Sequence, residues 1–345
     1  MTSFLAFNSN FGMLEALVRG YYTELLKPYE YSSLQQCETL EDLRLQLCSS
    51  SYATILQSAP SNLTILDIRS ICRQQLVNEF NHLYLQSPEP MKTFMDYIKY
   101  GYMIDNVVLM ISGSLKNYNT QKLLKDAHPL GLFPALSTLS LMTSPREIYR
   151  LVLIDTPLSE FFVDCLDLED LDDMHIEIMR ALLQKKYLEK FYEFVQTLKG
   201  ASKPTMMSIL EFLADRRAIT LTFNALHTDL SKDQRKKLYP NFGKLYPFFT
   251  KRLSNVSNAD DIKSILRGVV PYRRILEFVE TDGLEEAFDV AEMEVLRLSM
   301  LHQYSFAPFF VWIKMKEQEM KNITYIADCI ALKKKPKNYV ITATH

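Results

Sequence analysis

The chain has 345 residues, 48% of them apolar, with a formal net charge of −2. That apolar share is enough for a sizeable core and excludes global disorder, and the near-neutral balance excludes a global field that would draw in nucleic acid. With 9 glycines and neither G-x-G-x-x-G nor G-x-x-x-x-G-K-[ST], the chain lacks the turns by which a dinucleotide fold or a P-loop approaches phosphate.

Low Gly beside abundant Leu, Glu, Lys and Met favours helix, and the expected fold is all-α. Met1–Asn10 lacks the basic start and apolar run of a signal peptide. A first helix is expected over about Gly12–Leu26, packed near the last hairpin. Thr39-Leu-Glu-Asp42 is a helix N-cap signal. A long helix over about Leu63–Gln86 is followed, after Ser87-Pro88-Glu89-Pro90, by a second over Met91–Ser112 that stops at Gly113. In Phe94–Gly113 the apolar residues surround the helix, so it is expected to be central, with Asp96, Asp105 and Asn106 on or near a buried surface. His128-Pro-Leu-Gly131 reads as a helix-ending turn.

Ser144-Pro-Arg-Glu147 reads as a full capping box. Asp164–Asp173 is acidic enough to raise calcium, but an EF-hand loop starting at Asp167 would have Asp172 and Ile178 where glycine and glutamate are needed, so a charged helix start is preferred. From Leu171 to Leu198 apolar residues recur at three- and four-residue steps. Lysines gather towards the end and Gly200 stops the helix, in the order the macrodipole favours. Pro204 opens the next helix, to about His227, carrying Asp215-Arg216-Arg217. Asn258-Ala-Asp-Asp261 is a third cap signal. The last hairpin is expected over Leu284–Gln303 and Phe309–Leu332, joined through Ser305–Pro308. Phe306, Phe309, Phe310 and Trp312 read as core packing before a partner patch. Lys333–Lys335 and Lys337 read as lysines capping a helix end, with anionic lipid as the alternative.

The three caps lie 105 and 114 residues apart. Apolar residues follow each at matching offsets: Leu43, Ile148 and Ile262; Leu47, Val152 and Leu266; Leu56, Phe161 and Ile275. This predicts one helical domain over 1–345 with three internal repeats, at about 10–113, 114–227 and 228–335, each a small helical cluster plus a long hairpin. Residues 1–200 carry net −7 and residues 201–345 net +5, which suits a protein between two partners as well as many ordinary proteins.

The six histidines and five scattered cysteines show no metal-ligand spacing, and no metal or cofactor is expected. The odd, dispersed cysteines suggest a reducing compartment, and no span of 18 uninterrupted apolar residues occurs, so membrane association is expected to be peripheral. The candidate site residues are polar ones expected against the core: Asp105, Asn106, Asp215, Arg216 and Arg217. A structural network between hairpins is the preferred reading, and the lining of a cavity that receives another protein is the sharper one.

Several words of the sequence resemble one family. They include Cys37-Glu-Thr-Leu-Glu-Asp-Leu43, Tyr100-Gly-Tyr-Met-Ile-Asp-Asn106, His128-Pro-Leu-Gly131 and Ala214-Asp-Arg-Arg217. Gly243-Lys-Leu-Tyr-Pro247, Lys316-Glu-Gln-Glu319 and Asn322-Ile-Thr-Tyr-Ile-Ala327 belong to the same set. The chain from about Val18 to Ala331 is similar to subunit d of vacuolar-type rotary proton ATPases, a family related to the C subunits of archaeal-type ATPases. The resemblance implies a three-lobed, funnel-like helical protein on the cytosolic face of vacuolar or other acidic endomembranes. It implies partners in the proteolipid c-ring and central-stalk subunits D and F, and a role in coupling ATP hydrolysis to proton transport without catalysis of its own. A helical-repeat scaffold of cytosolic traffic or signalling is the alternative; an enzyme using the acidic run or the buried charges is a weaker one.

Overall fold

A computed structural model describes residues 3–60, 62–142, 144–163, 173–228 and 230–336. The acidic run Asp164–Asp172, Cys165, Lys337 and His345 lie outside these residues. The described residues form α-helices and two short 3-10 turns, with no strand among them. Helix α1 (Ser3–Thr23) precedes the short helices α2 (Pro28–Leu34), α3 (Leu40–Leu47) and α4 (Ala53–Gln57), then the long pair α5 (Ile65–Leu85) and α6 (Met91–Leu115). The short helices α7 (Thr120–Leu123), α8 (Pro134–Leu139), α9 (Pro145–Asp155) and α10 (Ser159–Phe162) precede the long pair α11 (Asp173–Thr197) and α12 (Ser202–Asn224). After α13 (Lys232–Leu238), α14 (Phe248–Leu253), α15 (Ala259–Arg267) and α16 (Val270–Asp282) come α17 (Leu284–Met300) and α18 (Ala307–Ala331). No described helix is long and apolar enough to cross a membrane.

The caps act differently from the sequence expectation. Thr39 makes the full capping box: its hydroxyl accepts from Asp42 N at 3.1 Å, and Asp42 Oδ2 accepts from Thr39 N at 3.0 Å. Asn258 Oδ1 accepts from Asp261 N at 2.8 Å. Ser144, expected to make the complete box, makes no side-chain cap bond. There the Glu147 N–H reaches the Ser144 carbonyl at 3.1 Å, so the backbone satisfies the donor the hydroxyl would have taken. All nine offset residues are nevertheless buried.

Gly113 is not a helix stop. It lies inside α6, where an added Cβ would sit 2.0 Å from Leu123 Cδ1, so its missing side chain makes room for α7. The helix runs on to Leu115 and is closed by Asn117, whose φ of 56° is left-handed. There Tyr118 N donates to Gly113 O at 2.8 Å and Asn117 N to Ser114 O at 3.1 Å, the paired bonds that satisfy the last carbonyls. Gly200, with φ 65°, does follow α11 as the sequence predicted.

The chain divides into two compact units, each described separately: unit 1 is 1–92, 199–206 and 289–345, and unit 2 is 93–198 and 207–288. In unit 1, the short helices α2–α4 pack against α5 and α18 through Tyr31, Leu43, Tyr52, Cys72, Ile323 and Ile326. Phe306, Phe309, Phe310 and Trp312 are all buried, as core packing requires; removing such a side chain from water is worth ~1.5–3 kcal/mol. As expected, α1 docks on the last hairpin. Arg19 donates to Met300 O at 2.7 Å and His302 O at 2.8 Å, and Glu15 accepts from Tyr304 N. Cys37, Cys48, Cys72 and Cys329 are unbridged thiols. In unit 2 a core around Ile104, Val107, Ile111, Val152, Phe161 and Leu183 joins α6, α9, α10 and α11.

Candidate functional site

Four of the candidate residues fall in three arrangements within unit 2: Asn106 at one turn, Asp215 at a loop, and Asp105 near Arg217. Asn106 on α6 is buried and works on a turn. Its Nδ2 donates to His128 O at 2.9 Å and its Oδ1 accepts from His128 N at 2.7 Å. One amide thus satisfies both backbone groups of His128, whose ring stacks on Tyr102 at 4.3 Å. A Cβ at Gly131 would lie 2.4 Å from the Tyr102 carbonyl oxygen, so only glycine lets this turn sit against the α6 backbone.

Asp215 on α12 is 1% exposed and anchors a second loop. Oδ2 accepts from Lys244 N at 2.9 Å and from Tyr272 OH at 2.5 Å, and Oδ1 accepts from Leu245 N at 3.1 Å. Gly243, at φ 112°, leaves room for this approach, because a Cβ there would stand 2.4 Å from Asp215 Oδ1. Burial raises the Asp215 carboxyl from 3.8 to about 6, against the pull of the three hydrogen bonds. Burial and the adjacent Asp215 charge push the Tyr272 phenol far above its usual range.

Asp105 and Arg217 belong to the third arrangement. Asp105 is exposed, which corrects the expectation of a buried position: apolar residues run most of the way round α6 but leave Asp105 on an open side. Its Oδ1 accepts from Gln184 Nε2 at 3.2 Å. Arg216 and Arg217 are half-buried. Arg217 has a buried Nε with no hydrogen-bond partner. Burial and the like charge of Arg180 depress its pKa, while Asp105 and Glu177 support its charge.

Sequence reasoning missed a buried charged cluster, which lies in unit 1. Lys316 on α18 is 0% exposed, with Glu319 at 1% and Glu79 of α5 at 4%. Lys316 Nζ lies 3.0 Å from Glu319 Oε1, 3.9 Å from Glu79 Oε1, and 4.5 Å above the centre of the Tyr52 ring. Glu319 also accepts from Tyr52 OH at 2.6 Å and from Leu26 N at 2.6 Å. One carboxylate therefore ties α18 to α4 and to the link between α1 and α2. Burial works against the charge of Lys316, but Glu319 and Glu79 outweigh it and hold its pKa above the usual lysine value. The available signal was a lysine and a glutamate three residues apart in Lys316-Glu-Gln-Glu319, a spacing that puts both on one side of a helix.

In these arrangements polar side chains of an all-helical protein join one element to another. Among the described residues no group of His, Cys, Asp and Glu is arranged to hold a metal. A family model described as ATP synthase (C/AC39) subunit matches residues 14–338. The chain is 43% identical over 336 residues to V-type proton ATPase subunit d1 of Arabidopsis thaliana, covering 96% of each chain. It is 43% identical over 340 residues to V-type proton ATPase subunit d of Saccharomyces cerevisiae, covering 97% of this chain and 98% of that one. A more distant relative is the C subunit of the A-type ATP synthase of Pyrococcus horikoshii, 21% identical over 332 residues, 93% of this chain and 87% of that one. The chain belongs to the ATP synthase (C/AC39) subunit family.

Proposed function

We propose that the chain is a non-catalytic central-stalk subunit of a V-type proton ATPase, linking the rotating stalk to the proteolipid ring and so coupling ATP hydrolysis to proton transport. The observation that carries this reading is the near full-length similarity to V-type subunit d proteins. Its partners would be the proteolipid c-ring and stalk subunits D and F. It would sit peripherally on the cytosolic face of vacuolar or other acidic endomembranes, held by protein contacts. The threefold order of short helices followed by a long pair supports three related lobes, at about 10–113, 114–227 and 228–335.

A link that carries torque needs stiffness more than chemistry, and close-packed interiors deform little. Asn106 and Asp215 serve that need by fixing loops to long helices, and Asp105, Arg216 and Arg217 would hold the hairpins in register or line the socket that receives the stalk. Fractionated membranes test the reading. The native chain should co-purify with proteolipid and should leave the membrane under alkali or chaotrope without detergent. Retention after alkaline extraction, or purification free of proteolipid and stalk subunits, would overturn it.

A further inference from the structure

The Glu79–Lys316–Glu319 cluster holds one ammonium and two carboxyl groups, all less than one-tenth exposed. Fully ionised it would carry a net negative charge out of contact with water, and a buried charge without a counter-ion is resolved by taking up a proton. The two carboxyls are not equivalent. Glu319 is committed to three donors: Leu26 N, Tyr52 OH and Lys316 Nζ. Glu79 Oε1 accepts from Gln75 Nε2 at 2.7 Å and sees Lys316 only at 3.9 Å, and its Oε2 is buried with no hydrogen-bond partner.

We propose that this cluster is a proton-binding site in which Glu79 carries the proton in the folded chain, and that releasing it to solvent weakens the joint between α5 and α18. Release breaks the O–H bond at the Glu79 carboxyl and leaves two carboxylates sharing one ammonium. The groups around the site favour retention. Tyr21 of α1 and Glu24 just after its end approach the site, with Tyr21 OH 2.5 Å from His82 Nδ1. Tyr31 of α2, Tyr52 beside α4 and Cys72 of α5 surround Lys316 and Glu319 without adding a second cation. Burial and the charges of Glu24 and Glu319 raise the Glu79 carboxyl, with Lys316 and Gln75 opposing them.

Two measurements on the full chain test the site. The first follows unfolding against pH for the wild type and Glu79→Gln, which mimics the protonated carboxyl. A group whose folded pKa is raised gives stability that is full below its unfolded value, 4.5 here, and lost as pH rises to the folded value. The wild-type folding constant should therefore fall, relative to Glu79→Gln, by up to about tenfold per pH unit within that window, then stay level above it. The second follows carboxyl carbon shifts of the wild type with labelled glutamate, so it does not depend on the variant folding. One glutamate should titrate above the ordinary range. Glutamates that all titrate in the ordinary range, or a Glu79→Gln stability difference constant with pH, would overturn the proposal.

Discussion

In unit 1 the buried Lys316 lies between two carboxyl groups, whereas in unit 2 the equally buried Asp215 has two backbone N–H groups and a phenol as its hydrogen-bond partners. The first arrangement holds an ammonium among buried carboxyl groups from two helices. The second pins a loop to a helix through donors that carry no full charge. The difference lies in what each loses on failure. Breaking an ion cluster leaves a charge stranded, while removing a loop anchor leaves neutral donors that water can reach as the loop loosens.

The largest effect is expected at Lys316. Lys316→Met keeps the volume but leaves Glu79 and Glu319 facing each other, and should cost ~3–5 kcal/mol in chemical denaturation of the purified chain. A cost near zero would show that the cluster is already neutral without the lysine and would erase the contrast with unit 2. Asp215→Ala should cost less, about 3 kcal/mol, by orphaning Lys244 N, Leu245 N and Tyr272 OH. Asp215 also carries a pH signature. Its carboxyl titrates at about 6 in the folded chain against an ordinary 3.8, so it contributes stability below 3.8 that is lost as pH rises through about 6. Two pK units correspond to about 3 kcal/mol, and Asp215→Asn should remove that slope even though it lowers stability overall. A slope unchanged in Asp215→Asn would assign the pH dependence elsewhere.

The smallest effects are expected at the caps. Thr39→Ala removes a hydroxyl that bonds Asp42 N and should cost ~1 kcal/mol, while Ser144→Ala should stay within about 0.5 kcal/mol because its hydroxyl caps nothing. Equal losses at the two sites would contradict the cap geometry.

The pattern of legible and illegible features follows from what each signal measures. Helical period and terminal residues report on single elements, so the long pairs and the stop at Gly200 were readable. Gly113 misled because a glycine late in a helix is compatible both with a C-terminal stop and with close packing, and only the position of Leu123 decides between them. Asp105 misled because its neighbours in sequence are buried; one open strip along α6 is enough to expose it. Asn106 and Asp215 were recognised as buried polar residues, but their backbone partners lie in loops 22 to 30 residues away, and Tyr272 is 57 residues from Asp215, which no residue pattern announces. Lys316, Glu319 and Glu79 were missed for a related reason: the lysine and Glu319 are neighbours on one helix, but Glu79 comes from a distant one.

We propose that this chain transmits rotation and performs no chemistry. That role is tested most directly by measuring ATP hydrolysis and proton pumping together in membranes that lack the chain and in the same membranes after it is restored. The expected result is pumping that is lost without the chain and returns with it, falling at least as far as hydrolysis does, while the purified chain alone hydrolyses no ATP. Full pumping in its absence, or ATP hydrolysis by the purified chain, would contradict the account.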